Sequence, residues 1–352
     1  MSASNRTLAF GGYDFLLFTG GATELVINLV GMPLSLVNLW LVSRTSVIHP
    51  NMKFILIFQS CFILTRGSCR FIICLFKFLL WDPIGAEMTA YLPAIRLAYY
   101  IGIYGRNFVP HILIVERVLA TLTVKSYERN RRCLFSLLWS PMAATLAVLN
   151  ALSAISDGEQ MPLTNLITTI AQFVIGTAEF AVFALLWRYN AKIYQKMLQK
   201  AEAHCLSERY QLSENIRIGR QLMPPLLLNL ANILLGMIIL LWNCVDLPYY
   251  WIMFTFCSNF NSFFGLLIEL FIITCHPFLM RDFCRILQNF GDLFGLHFFG
   301  NRRVGEESGM PNNSAVVGLA QRDLISGRAL IERSKPDDHF AILRNAWERP
   351  CN

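Results

Sequence analysis

Charge is scarce in this chain of 352 residues: Asp, Glu, Lys and Arg together make up 15%, against roughly 25% in an ordinary soluble domain. So few charges cannot clothe a water-exposed surface, which excludes a conventional globular protein and points to a surface covered by lipid. No polar linker divides the hydrophobic part, so separate soluble domains are excluded too. The ten cysteines form no CxxC pair and no metal-ligand spacing, which leaves no metal site to expect. Most of them, Cys61, Cys69, Cys74, Cys257 and Cys275 included, lie in apolar runs, where cysteine behaves as a small apolar residue. HExxH, GxSxG and a phosphate-binding loop are all missing, so neither an enzyme nor a cofactor is expected. Residues 1–14 lack a basic stretch ahead of a short apolar core, and the first hydrophobic segment is expected to direct insertion itself. No internal repeat appears, which weighs against the inverted-repeat transporters.

What the chain does have is apolar length. Hydrophobic residues make up 55%, and mean hydropathy is +0.47. A bilayer core of about 30 Å needs roughly 20 apolar residues per helix. Such runs fall near 15–43, 53–80, 91–123, 133–156, 162–188, 221–243 and 248–275; the second and third are long and carry charges. The fold class expected is an all-α membrane protein, a seven-transmembrane helix bundle. Residues 1–14 precede it outside, and 15–275 form the bundle. A short amphipathic helix over 276–290 lies on the inner leaflet, because Pro277 to Leu287 alternates apolar and charged residues at helical spacing. Residues 291–352 turn polar and are expected to form a flexible cytoplasmic tail.

The basic residues set the orientation. Arg44 and Lys53 flank the first loop, Lys125, Arg129, Arg131 and Arg132 lie in the third, and seven more run from Arg188 to Arg220 in the fifth. The opposite side offers only Arg6, and instead holds Asp82, Glu87, Asp157, Glu159 and Asp246. The N-terminus is therefore expected outside and the C-terminus inside, in the plasma membrane. The net charge of +7 belongs to these inner loops, and no nucleic-acid partner is implied. Asn5-Arg6-Thr7 then becomes an outer glycosylation acceptor. Cys284, in the surface helix, is a candidate for palmitoylation.

Charges inside the spans are costly and mark candidate sites. Glu24 lies in span one, Arg66 and Arg70 in span two, Arg96 and Arg106 in span three, Glu179 in span five and Glu269 in span seven. Arg66 and Arg70 are four apart and share one helix face, expected to look into the bundle, with Glu24 and Glu179 as candidate partners. Two readings stand side by side: buried ion pairs that fix helix register, or a ligand pocket. His111 reads as a packed or hydrogen-bonded histidine.

At the inner end of span three, Glu116 sits beside Arg117. The acid can hold the arginine back, and a released guanidinium can hydrogen-bond a partner's carbonyls; simple snorkelling to the interface is the alternative. At that depth the Arg117 charge is expected to reach water. The segment Ser207-Glu208-Arg209-Tyr210-Gln211-Leu212-Ser213-Glu214-Asn215, read as a loop between spans five and six, strongly resembles the nematode serpentine chemoreceptors, class epsilon (Sre) in particular. His49-Pro50-Asn51-Met52-Lys53, Glu116-Arg117 with Ala120-Thr121 and Tyr127-Glu128, and Asn190 with Tyr194 agree. The likeness runs from the first span to about Pro277. It implies a seven-helix receptor of chemosensory neurons, placed in the sensory cilium, that binds a small-molecule cue and activates a heterotrimeric G protein. Glu116, Arg117, Tyr127, Lys192, Lys196, Arg209 and Arg217 are then the candidates for coupling. Lys192 and Lys196 continue span five as a basic stripe, which the bilayer's anionic headgroups would also favour.

Against rhodopsin-like receptors there are departures. Span seven ends Ile273-Thr274-Cys275-His276-Pro277 without NPxxY, span six has Pro224 and Pro225 near its inner start in place of CWxP, and span seven has no Lys for a retinal Schiff base. The rival reading, a ligand-gated cation channel of the insect odorant-receptor type, requires the N-terminus inside, which the basic residues oppose. Glycosylation mapping in microsomes tests this orientation: Asn5 should carry glycan and Asn312 should not, and the reverse pattern would invert the bundle.

Overall fold

A computed structural model of the chain describes residues 12–46, 48–82, 84, 93–122, 134–156, 163–199 and 206–293. Over these residues it forms eight helices: α1 (Gly12–Arg44), α2 (Pro50–Leu80), α3 (Pro93–Leu122), α4 (Leu134–Ser156), α5 (Leu163–Gln199), α6 (Leu206–Cys244), α7 (Tyr250–Thr274) and α8 (Pro277–Leu293). The first seven build one bundle. α1 packs between α2 and α7, α3 stands in the middle against α2, α4, α5 and α6, and α5, α6 and α7 close the ring. Helices α1, α3, α5 and α7 all begin at one end, here the amino end, and finish at the other, the carboxyl end.

Five helices, α1 and α4 to α7, are long and apolar enough to cross a membrane. α2 and α3 fall short because their charges lie in the buried stripe itself. On α2 that stripe runs Gln59, Ile63, Arg66, Arg70, Ile73 and Lys77, and on α3 it runs Tyr99, Gly102, Arg106, Leu113 and Arg117. The three-to-four-residue spacing is that of one helix face, and the outward faces remain apolar. Phe15, Val30, Leu75, Leu149, Ile167 and Phe263 are among the large apolar side chains left outside. That surface suits lipid and not water.

α2 and α3 approach closely because α3 presents glycine. A Cβ at position 102 would lie 2.9 Å from both the backbone nitrogen and the Cβ of Arg66. One at position 105 would enter the Phe62 ring. Small residues at such crossings let backbones meet where no hydrophobic effect drives association.

The sequence places a loop between spans five and six, yet from Leu206 that segment is helical and continuous with α6. Leu212, Ile218 and Leu222 are buried, and the Trp187 indole N–H of α5 donates to the Ile216 carbonyl at 3.2 Å. Charge kept this stretch out of the hydropathic run, but packing against α5 extends the helix past the lipid. Pro224 and Pro225 therefore sit inside α6 and not near its start. α8 turns away after α7. Its start is held by His276, whose carbonyl accepts from Met280 N at 2.9 Å and whose Nδ1 accepts from Leu279 N at 3.4 Å. Burial, then the charge of Arg217, push this imidazole down to about 4, which keeps Nδ1 free to accept. Leu279, Phe283 and Ile286 pack on the bundle while Arg281 and Arg285 face outward, and Cys284 is half-buried.

The glycine contacts set the first stability test. Gly102→Ala should lower thermal stability of the purified protein by about 1–3 kcal/mol, the usual cost of overpacking. Gly236→Ala, where a Cβ meets nothing within 4 Å, should not. Equal melting temperatures for the two variants would remove Gly102 from the α2–α3 crossing.

Candidate functional site

Two sites emerge, an ion cluster near mid-depth and a cavity beside it toward the amino end. In the cluster, the Glu24 carboxylate of α1 is fully buried. Arg70 Nε donates to its Oε1 at 2.8 Å and Nη2 to its Oε2 at 2.5 Å, a bidentate pair. Arg66 Nη2 lies 3.4 Å from the same carboxylate. The hydroxyls of Ser258 and Ser262 on α7 donate to it at 2.7 and 3.1 Å. Arg66 also donates to the Ser258 carbonyl at 3.0 Å and to Ser262 Oγ at 2.5 Å. One carboxylate thus ties α1 to α2 and α7. Aromatic faces cover the cations, with the Arg70 guanidinium 5.4 Å from the Tyr99 ring centroid and 5.6 Å from that of Phe254.

A second polar knot joins α1, α2 and α7 farther toward the carboxyl end. Buried Glu269 accepts from Asn38 Nδ2 and from Ser60 Oγ, the latter at 3.0 Å. Glu179 does not join the arginines: it pairs with His111 of α3. This corrects its assignment as a partner of Arg66 and Arg70, because α5 packs mainly on α6 and α3, away from the arginine face of α2. It also supplies the hydrogen bond expected of His111. Arg96, half-buried at the start of α3, stands apart from both knots.

The cavity lies between α3, α5, α6 and α7 and holds about 110 Å³. Its wall is aromatic (Tyr99, Tyr100, Tyr104, Tyr250 and Phe254), with Ile233, Leu235, Ile239 and Leu240 from α6. Its polar groups are mainly amides and hydroxyls. Asn107 and Asn232 are buried and Asn261 is half-buried. Asn107 Oδ1, Asn261 Oδ1 and both polar atoms of Asn232 have no hydrogen-bond partner among the described residues. Unmet buried amides of this kind are costly unless something binds them. Ser258 and Tyr99 belong to both the cavity wall and the ion cluster, so the two are mechanically one unit.

None of the six charged pocket candidates lines this cavity. Glu24, Arg66 and Arg70 form the cluster behind it, and the asparagines that do line it carry no charge to mark them. Three amides on three helices show as a set only once the helices are placed side by side.

At the carboxyl end, Arg117 Nε and Nη2 donate to the two Glu116 oxygens at 2.5 and 2.6 Å. The expected local pair therefore forms, but the expected exposure does not: Arg117 is 4% exposed and Glu116 1%. α3 is the central helix, and the face bearing Glu116, Arg117 and Ala120 stays buried near its end, while Leu119 and Leu122 remain exposed. Nearby, Asn190 Nδ2 donates to Thr121 Oγ1 at 3.3 Å, and Gln221 Nε2 donates to the Ile272 carbonyl at 2.9 Å, tying α5 to α3 and α6 to α7. Lys192 and Lys196 are exposed on α5 and Arg217 pairs with Glu214. Asn5 and Tyr127 fall outside the described residues, and the side chain of Arg209 does as well.

A family model described as "Serpentine type 7TM GPCR receptor class ab chemoreceptor" matches residues 14–243, from α1 to the end of α6. Three relatives come from Caenorhabditis elegans. Serpentine receptor class alpha-39 is 33% identical over 142 residues, 36% of each chain. Serpentine receptor class epsilon-8 is 24% identical over 243 residues, 64% of each chain. Serpentine receptor class alpha/beta-14 is 28% identical over 145 residues, 38% of this chain and 37% of the relative. The matches thus span between about a third and just under two-thirds of those relatives. The class epsilon resemblance holds at the level of nematode serpentine chemoreceptors and not at that of class. In three dimensions the chain is similar to squid rhodopsin, with a TM-score of 0.60 over 85% of this chain and 93% of that one, at 11% identity. The fold is therefore rhodopsin-like.

Glu24 carries the stability test for the cluster. Glu24→Gln should cost about 3–5 kcal/mol, because it leaves two guanidiniums buried without their carboxylate. Adding Arg70→Met should recover part of that loss. Melting temperature and surface level check both, and a neutral Glu24→Gln would show that the cluster is not needed for folding.

Proposed function

The chain belongs to the serpentine-type seven-helix chemoreceptors of class ab, and we propose that it binds a small-molecule cue in the amino-end cavity and passes the signal to a heterotrimeric G protein. The observation that carries this reading is the unmet amides of Asn107, Asn232 and Asn261 around an aromatic-walled space. Concave, mostly apolar sites with a few convergent polar groups are what small-molecule pockets look like. With the N-terminus outside, as the basic residues imply, the cavity opens toward the outer half and α3, α5 and α6 converge on the cytoplasm. The same orientation puts the protein in the plasma membrane as a multi-pass receptor, and expression in a chemosensory cilium follows from the resemblance.

The class of cue follows from the lining. Its polar groups are neutral, and behind the wall Arg66 and Arg70 are paired with Glu24, Arg70 lying under Tyr99 and Phe254. A compact, uncharged molecule with an aromatic or aliphatic body and one or two hydrogen-bonding groups fits. Binding acts by differential affinity: the cue shifts the population toward a state in which the inner ends of α3, α5 and α6 part. In the described state Arg117 is held by Glu116, and α6 is held to α7 by Gln221. Opening frees the guanidinium for a G-protein carbonyl, with Lys192, Lys196 and Arg217 beside it.

A cue screen in cells supplied with several Gα subunits, read by cyclic nucleotide and calcium, is the direct test. Asn232→Leu should reach the surface normally, since it removes an unmet amide. It should also weaken the response about tenfold or more, the value of one lost buried hydrogen bond. Glu116→Gln should raise signalling without any cue. Arg117→Ala is a poor probe, because it removes a buried, bidentate ion pair and so perturbs folding as well as signalling. A response unchanged by Asn232→Leu and by Asn107→Leu would remove the cue from this cavity, and current without any G protein would replace the receptor with a channel.

A further inference from the structure

A second, smaller cavity of about 20 Å³ lies at mid-depth between α1, α2, α3 and α7. Asn28, Ser35, Arg66, Arg106 and Ser262 line it, with glycines 31, 67 and 265 making the room. Arg106 is 1% exposed, and its one hydrogen bond among the described residues, from Nη1 to the Asn261 carbonyl, is long at 3.4 Å. Arg106 Nε, Arg106 Nη2 and Arg66 Nε find no acceptor among the described residues. Three N–H-bearing nitrogens on two fully buried guanidiniums thus go unanswered beside one cavity.

The charge of Arg106 is not met either. It forms no ion pair with a carboxylate among the described residues, and Arg66 reaches Glu24 only at 3.4 Å, on oxygens that already take Arg70 and the two serines. Glu269, the other buried carboxylate of this region, accepts from Asn38 and Ser60 and forms no ion pair with Arg66 or Arg106 among the described residues. A guanidinium stays protonated in a protein, so Arg106 cannot relieve its burial by losing a proton. An uncompensated cation at this depth is costly. A water molecule would satisfy the N–H groups but leave the charge. The space exceeds the 10–15 Å³ or so that one water-sized particle needs and cannot take an organic acid.

We propose that this cavity binds one small monovalent inorganic anion of chloride size, held by the free N–H groups of Arg66 and Arg106 and bordered by Ser35, Ser262 and Asn28. The ion neutralises Arg106 and adds a polar tie between α3 and the α1–α2–α7 cluster, beside the Tyr99 ring and the Gly102 crossing. It is a structural ion of the bundle and is independent of the cue in the larger cavity.

The test uses the full-length protein purified into nanodiscs of uncharged lipid, with thermal unfolding followed as sodium chloride replaces sodium gluconate at fixed ionic strength. The melting temperature should rise saturably, by about 2 °C or more, as expected for a ligand that binds only the folded state. Bromide should substitute and gluconate should not. Arg106→Gln should abolish the halide dependence and melt no lower than wild type does in gluconate. Arg106→Lys keeps the charge but loses the planar fork, and should shift half-saturation to about tenfold higher chloride. A wild-type melting temperature indifferent to chloride overturns the proposal and leaves water as the occupant. A full halide response in Arg106→Gln overturns it as well. If Arg106→Gln does not fold, an unshifted midpoint in Arg106→Lys has the same force.

Discussion

A buried carboxylate anchors the bundle at mid-depth. Glu24 receives two guanidiniums and two hydroxyls, and through them α1, α2 and α7 are held in one register. In lipid there is little hydrophobic drive for helices to associate, so polar contacts and close packing carry more of the specificity. The glycine-lined crossing of α3 on α2 supplies the packing, and the carboxylate supplies the register. The same arrangement explains why α2 and α3 look poorly suited to a membrane: their charges lie in the buried stripe, where Arg66 and Arg70 face Glu24 and Arg117 pairs with Glu116, and their lipid faces remain apolar.

That cluster also shapes the larger cavity. The Arg70 guanidinium is sandwiched by Tyr99 and Phe254, and both rings form the cavity wall. Ser258 donates to Glu24 from one side and borders the cavity on the other. A molecule in the cavity therefore leans on a rigid floor instead of on free side chains. Displacement passes more easily to α6, which contributes much of the apolar wall and has no part in the ion cluster. At its far half α6 is fastened by side-chain bonds to backbone carbonyls, from Trp187 of α5 and from its own Gln221 to α7. Such bonds can be exchanged for water at modest net cost.

Much of this was legible in the sequence, and the reasons differ from residue to residue. The spacing of Arg66 and Arg70 gave their shared face, and the cost of charge in lipid gave its direction inward. Glu24 followed as a partner because few acids lie in the spans. Glu179 was mispaired since sequence carries no neighbour relation between helices, and α5 turned out to touch α3. The asparagines of the cavity escaped notice because a neutral amide in an apolar run costs too little to stand out. The start of α6 was misplaced where lipid contact ends but helix packing does not. Arg117 was placed at a water interface on depth alone, whereas the face of α3 that carries it is buried.

The paired prolines of α6 have a consequence for how that helix bends. Pro224 and Pro225 have no main-chain N–H, so the carbonyls of Arg220 and Gln221, four residues earlier, lose their helical donors. The rod is consequently weakest in flexure one turn from the Gln221 side chain that anchors it to α7. Bending energy concentrates at such a joint and leaves the flanking turns stiff. A small tilt of the segment beside the cavity is thereby converted into a larger swing of the long arm from Leu206 onward, as in a lever whose fulcrum is set in the chain itself.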